Sequence, residues 1–287
     1  MRDAAAVDLH LHSLASDGRL TPAELVRHAA ERGVRHLALT DHDTTAGIAE
    51  AAAAAAAAGI GFVAGIELSA AWRGRGIHVL GLAIDPQAGE LRAGIGRLHG
   101  FRLERAERIA ARLEAARAPG RAALEAVLAM TSLPTRTHFA RALVELGAAR
   151  DASDAFDRLL RRGRPGYVAS EWPEVREVTG WIVAAGGAAV LAHPLRYTLS
   201  NGARRELARE FREAGGDGVE VATGGASAAQ VAEAATLATR TGLAGSAGSD
   251  FHDPAIAWNP PGRLAKLPAS IRPVWASPPF PRDFGCS

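Results

Sequence analysis

Val7-Asp8-Leu9-His10-Leu11-His12 is a short apolar run that carries two histidines two residues apart. A strand places alternate side chains on one face, so His10 and His12 point the same way. Six further fragments of similar make-up follow: Ser16-Asp17-Gly18, Thr40-Asp41-His42-Asp43, Gly65-Ile66-Glu67, Ile77-His78-Val79, Ala192-His193-Pro194 and Ser249-Asp250-Phe251-His252. Each is read as following a strand. Together they supply six histidines and three carboxylates, His10, His12, Asp17, His42, Glu67, His78, His193, Asp250 and His252. Imidazole mixed with carboxylate suits zinc, manganese or iron. The expected strands cover residues 7–12, 36–41, 61–68, 78–84, 188–192, 218–221 and 243–245. Helical patterns over 21–32, 45–58, 172–185, 203–214 and 226–241 separate most of them. This alternation predicts an α/β fold with a parallel sheet under helices. Nine candidate ligands spread over most of the strands decide its closure. An open sheet would set them in a line, whereas a barrel gathers strand ends around one centre. A seven-stranded (β/α)7 barrel of the TIM-like kind is therefore expected.

The 287 residues suffice for one large domain carrying an insertion. Residues 90–168 lack a convincing strand and read as helices over 91–118, 121–129, 137–146 and 151–161. The expected division is a barrel from 1–89 and 169–287 with a helical substrate lobe at 90–168. Eight consecutive alanines, 51–58, read as a surface helix stopped by Gly59. The proline-rich tail from Asn259 onward is expected to wrap the surface as irregular structure.

A formal net charge of +2 gives no basis for bulk electrostatic binding to nucleic acid, and no stable duplex partner is expected. No apolar run reaches membrane-span length and the N-terminus lacks a signal-peptide pattern, so no membrane partner is expected. The sole cysteine, Cys286, can form no internal disulfide, which fits a cytoplasmic location. Lys266 is the only lysine, leaving 32 of the 33 basic residues as arginine. Each arginine is correspondingly weaker as a phosphate signal.

The fragments quoted above resemble the motifs of the polymerase and histidinol phosphatase (PHP) superfamily. Within it the chain is most similar to the 3′,5′-nucleoside bisphosphate phosphatases, the RNase AM type. Thr135-Arg136-Thr137-His138-Phe139-Ala140-Arg141 and Gly163-Arg164-Pro165-Gly166-Tyr167-Val168 extend the likeness into the insertion. The resemblance implies a distorted seven-stranded barrel and two or three divalent ions, manganese foremost, with zinc or iron as alternatives. It implies a metal-dependent phosphoesterase that takes the 3′-phosphate from 3′,5′-bisphosphonucleosides to leave the 5′-monophosphate, and that can also trim short RNA 5′ to 3′. It further implies that His10, His12, Glu67 and Asp250 hold one ion, that Glu67 bridges to a second held with His78 and His193, and that Asp17, His42 and His252 hold a third. Spacing alone says only that these nine can converge.

Other readings compete at several positions. His28 and His36 are assigned no role, and His99 and His138 fall in the insertion. Asp17 before Gly18 also suits a turn. Asp41 and Asp43 could cap a helix, and Asp41 could orient a ligand through a hydrogen bond. Glu220 is read as structural or ligand-orienting rather than ligating. No protein base is assigned; a water activated by the cluster is the expected nucleophile. Arg102, Arg105, Arg136 and Arg164 are the candidates for a second phosphate, Arg136 first, with Arg105 equally suited to a solvated helix face. Phe101 or Phe139 could stack a base or belong to the core. The alternatives for the whole chain are a histidinol-phosphate phosphatase or other phosphomonoesterase, a nuclease on longer chains, and a non-catalytic metal-binding replication module.

Overall fold

The computed structural model describes residues 6–169 and 171–285; Cys286 lies outside them. The described residues fall into two compact units, one from Met1–Ile95 with Pro173–Ser287 and one from Gly96–Trp172. No described helix is long and apolar enough to cross a membrane.

In the first unit seven strands pair in chain order: β1 (Ala6–Asp8), β2 (Val34–Leu39), β3 (Gly61–Trp72), β4 (Arg75–Leu82), β5 (Ala188–Leu191), β6 (Gly218–Thr223) and β7 (Ala244–Gly248). Leu9 N–H donates to the Ala247 carbonyl at 2.9 Å and Leu11 bridges Phe251, so the sheet curls into a nearly closed barrel. Its interior is filled by Leu9, Ala38, Val63, Leu80, Val190 and Ala244. Around it lie α1 (Pro22–Glu31), α2 (Ile48–Ala58), α7 (Val175–Ala184), α8 (Asn201–Glu213) and α9 (Ala228–Thr241). Helix α1 starts where the sequence signals it: Thr21 accepts from Glu24 N–H, and the Glu24 carboxylate accepts from Thr21 N–H. The alanine run forms most of α2. It buries Ala51 and Ala55, four residues apart, in the same cluster as Leu25 and Ala29 of α1.

The sheet departs from the expected all-parallel pattern at β4, which is antiparallel to both β3 and β5. Arg73 (φ 50°) and Gly74 (φ 72°) are the two central residues of a tight hairpin between Trp72 and Arg75. Two successive positive φ values suit the twist of a hairpin, and glycine takes the second without strain. The strands expected over 61–68 and 78–84 stop short of residues 69–77, which the hairpin takes in. That Arg-Gly pair was the turn signal, weakened by the absence of Asn or Asp before the glycine. As a consequence His78 lies in the first half of β4 and Glu67 in the middle of β3, not at the ends of parallel strands.

The tail also departs from expectation. It is irregular, but Gly245 N–H donates to the Arg272 carbonyl at 2.9 Å. Val274, Phe280 and Phe284 enter the barrel cluster. Apolar anchors make the segment part of the core rather than a surface wrapping.

The second unit is helical. Helix α3 (Gly89–Ala115) leads into α4 (Gly120–Met130), α5 (Arg136–Glu145) and α6 (Ala152–Ala155), with a π-helical turn over Phe156–Leu160. Its core holds Ile109, Leu113, Val127, Phe139, Leu143 and Leu160. Phe139 is fully buried there and is a core residue, so it offers no face to a base.

Candidate metal centre

Eight of the nine candidate ligands lie on or just beyond a strand of the barrel, Asp17 sits in the loop that follows β1, and the structure brings all nine together. His42 follows β2 and is fixed by backbone pairing across to β3: Asp43 N–H donates to Glu67 C=O at 2.9 Å, and Glu67 N–H to Asp41 C=O at 3.2 Å. On β4, His78 sits diagonally across from Glu67, whose direct partner is Leu80. His193 follows β5, and Asp250 with His252 follows β7.

His10 Nε2 and His12 Nε2 are 3.1 Å apart. Each lies 3.2 to 3.3 Å from Glu67 Oε2 and 3.3 Å from Asp250 Oδ1. A point equidistant from four atoms so spaced is about 2 Å from each, the length of a metal bond to nitrogen or oxygen. The other oxygen, Glu67 Oε1, is 3.0 Å from both His78 Nδ1 and His193 Nε2. His42 Nδ1 is 3.0 Å from Glu67 Oε2, so His42, Glu67 and His78 form a second converging set. A third set joins Asp17, His42 and His252 with His12; His252 Nε2 is 3.2 Å from Asp17 Oδ1. His12 and His42 thus each belong to two sets, a sharing that spacing could not reveal.

The electrostatics follow from burying carboxylates and imidazoles together. Burial alone would raise Glu67 and Asp250. His42 and His78 outweigh it at Glu67, and His10 with His12 at Asp250, so both carboxyls are held well below the usual range. Burial resists charge on His10, but Glu220, Glu67 and Asp250 raise it well above its ordinary value. Burial opposes charge on His12 as well, yet the adjacent carboxylates of Asp250 and Glu67 push it up to about 10. At His42 burial prevails and the pKa falls. Protons on imidazoles are the counter-charge here, and divalent cations are the natural replacement. The fit is supported by atoms that find no hydrogen bond. His12 Nδ1, His42 Nδ1 and Glu67 Oε2 are buried without one, although the last two are 3.0 Å apart. Lone pairs that converge without a hydrogen between them suit a metal ion.

Neighbouring residues hold these ligands in place. Glu220, which is buried, meets His10 Nδ1 at 3.0 Å through Oε1 and accepts from His193 N–H at 2.6 Å through Oε2. It orients ligands, in line with its sequence reading. Asp41 accepts from Ser13 N–H, Ser13 Oγ and Ser16 Oγ at 2.8, 2.6 and 2.5 Å, pinning the loop that presents Asp17. The sequence reading gave Asp8 no role, but its carboxylate accepts from Ser249 N–H at 2.8 Å and Gly262 N–H at 2.9 Å. Asn259 donates to the Asp250 carbonyl at 2.7 Å. His193 and Asp250 both adopt positive φ, 27° and 54°, strain that the surrounding bonds must hold. Arg196 pairs with Asp250. None of these interactions carries a local spacing signal, because the partners sit in different loops and strands.

The substrate candidates Arg102, Arg136, Arg164 and Phe101 lie in the helical unit. Arg102 and Arg105 are buried and flank Trp172, with guanidinium carbons 5.4 and 5.6 Å from its ring. Burial, then Arg136 and Arg102, press the Arg105 pKa down to about 9, and burial lowers Arg136 as well. Guanidinium groups keep their proton, so this pressure marks closely spaced positive charge around Arg105. Arg105 is therefore no solvated helix face. Arg164 is exposed and Phe101 half-buried.

Comparison with known proteins places this geometry. The PHP domain family matches residues 8–171. A 3′,5′-nucleoside bisphosphate phosphatase of Chromobacterium violaceum is 45% identical over 274 residues, 94% of this chain and 95% of that protein. The 5′-3′ exoribonuclease Rnm of Escherichia coli is 42% identical over 95% of this chain and 93% of its own. The solved structure of an amidohydrolase from Chromobacterium violaceum, with sulfate bound and no metal, superposes with a TM-score of 0.88 at 44% identity, covering 94% of this chain and 95% of that one. The chain belongs to the PHP domain family.

Proposed function

We propose that this enzyme removes the 3′-phosphate from 3′,5′-bisphosphonucleosides, leaving nucleoside 5′-monophosphates, and trims short RNA from its 5′ end. The observation that carries the reading is Glu67. Its Oε2 lies within 3.3 Å of His10, His12 and His42, and its Oε1 is 3.0 Å from His78 and His193. One carboxylate meeting five imidazoles through two oxygens suits a multinuclear centre of two or three divalent ions, manganese foremost. Bound there, such ions supply charge neutralisation for a phosphate dianion and a water acidic enough to attack near neutral pH. The protein's own part is positional. Glu220 holds a proton on His10 Nδ1 and so leaves Nε2 to face the cluster. Asp41 fixes the Asp17 loop.

The choice of a substrate with two phosphates rests on the relatives and on the guanidinium cluster of the helical unit. Arg136 and Arg102 take the phosphate that is kept, Arg164 adds charge, and Phe101 contacts the base. The test is hydrolysis with manganese of adenosine 3′,5′-bisphosphate (pAp), a nucleoside 3′-monophosphate and histidinol phosphate. The bisphosphate should be the most efficient. Equal efficiency on the two nucleotides, or preference for histidinol phosphate, would remove the two-phosphate reading.

A further inference from the structure

Beside the histidine cluster the barrel unit holds a second feature. A cavity of about 190 Å³ is lined by His193, Arg196, Gly224, Gly225 and Trp258, among others. It starts at the centre itself, since His193 Nε2 is 3.0 Å from Glu67. Trp258, one of its lining residues, is 53% exposed. An indole that open to water is normally mobile, but this one is held. The next residue, Asn259, is buried and donates to the Ser249 and Asp250 carbonyls at 3.4 and 2.7 Å. Gly225, at φ 71°, brings its backbone so close to the indole that a Cβ there would lie 2.8 Å from Trp258 Cε3. The Arg196 guanidinium carbon stands 5.4 Å from the ring centroid. The result is a positioned aromatic face and a cation, tied through Asn259 and Arg196 to the loop of Asp250.

A bisphosphonucleoside has nothing to place on such a platform. Beyond its 3′-phosphorus it carries only terminal oxygens. RNA differs: its scissile phosphate is also esterified to the next nucleoside. We propose that Trp258 and Arg196 form the subsite for that downstream nucleotide, its base stacking on Trp258 and its phosphate charge met by Arg196. Base–aromatic stacking tolerates any sequence, as exonucleolytic trimming requires. In the reaction, the oxygen of one water bonds to phosphorus and the P–O3′ bond breaks. One proton goes to O3′ of the released nucleoside 5′-monophosphate, and the shortened strand keeps the phosphate on its 5′-oxygen. A 5′-phosphorylated diadenylate (pApA) plus water therefore gives two molecules of adenosine 5′-monophosphate.

This inference rests on the proposed function, and the experiment separates the two. kcat/KM is measured for pApA and for pAp in the unmutated enzyme and in Trp258→Ala, Trp258→Leu and Trp258→Phe. Binding of a pApA analogue with a non-hydrolysable methylene linkage is measured by calorimetry. Loss of one stack should lower the pApA-to-pAp ratio about 10- to 100-fold in the Ala and Leu variants, with matching loss of analogue affinity. Phe should restore most of both. A ratio unmoved in the Ala and Leu variants, or parallel losses on both substrates, overturns the subsite. Unmutated enzyme that hydrolyses pAp but not pApA overturns both the subsite and the RNA-trimming part of the proposed function, and leaves the bisphosphate phosphatase part standing. Hydrolysis of neither removes both.

Discussion

The two buried ionic clusters of this molecule answer the same problem in opposite ways. In the barrel, Glu67, Asp250, Asp17 and Glu220 are buried among six imidazoles. That cluster can balance itself by taking protons, which is why His10 and His12 rise. In the helical unit, burial and then Arg136 and Arg102 lower the pKa of Arg105. Guanidinium groups shed no proton at physiological pH, so this cluster cannot balance itself by titration. A titratable cluster suits exchange of protons for metal ions; a fixed one suits phosphate. Solution behaviour should divide along the same line, with metal content and pH dependence belonging to the barrel and substrate preference to the arginines.

The largest effects should come from the barrel ligands. His10→Ala and Asp250→Ala each remove a donor from the tightest set, and turnover should fall by far more than the roughly 10- to 100-fold typical of residues that merely orient ligands. Turnover, metal content by elemental analysis and circular dichroism should be measured together. A loss below about tenfold in a folded, metal-loaded variant would show that these residues do not ligate. The pH response comes next. His12 in the metal-free protein has its pKa raised to about 10. A binding ion must displace that proton, so affinity should rise with pH, about tenfold per pH unit for each proton displaced, up to the raised pKa. Manganese titrations at pH 6, 7 and 8 test the sign, and proton release should appear as a buffer-dependent heat. A flat response would show that the imidazoles are already neutral.

Both clusters are written in the sequence, but only one is legible there. His10 and His12 alternate on a strand-like run, and His42, His193 and Asp250 each follow an apolar stretch; chemistry and period coincide. The barrel is inferred from the same residues, because only closure gathers them. What escaped was non-local. The Arg73-Gly74 hairpin reversed β4 without a strong turn pair, so His78 reached Glu67 from an unexpected direction. Phe280 and Phe284 pack into the barrel from a proline-rich tail with no periodicity to announce it. The arginine cluster was hidden by abundance, since 32 arginines leave no single one conspicuous. Its burial became visible only when α3 and α5 were folded.

The arginine side of the comparison predicts a smaller, selective effect. Arg136→Ala should reduce kcat/KM on the bisphosphonucleoside by about one to two orders of magnitude, the roughly 1.5–3 kcal/mol of a hydrogen bond to a charged group. Metal content should be unchanged, and the nucleoside 3′-monophosphate should be affected far less. Equal losses on the two substrates would detach Arg136 from the second phosphate.

The finest test lies at Glu220, which touches the barrel cluster without joining any of its converging sets. Oε1 meets His10 Nδ1 at 3.0 Å, and Oε2 accepts the His193 backbone N–H at 2.6 Å. If Glu220 acts through His10, its charge strengthens the imidazole as a donor and its geometry fixes which nitrogen carries the proton. Glu220→Gln keeps the shape and removes the charge, so manganese affinity should fall about tenfold, at the low end for ligand-orienting groups. The same variant takes a negative charge from beside His10 in the metal-free protein. The His10 pKa should therefore fall, because Glu220 is the largest of the influences that raise it. Imidazole titration followed by NMR on metal-free protein separates this from a purely structural part. A structural part would lower thermal stability and leave the His10 titration where it was. A shift in titration with little change in melting would assign Glu220 to the working side of the cluster and keep the contrast with the untitratable arginines intact.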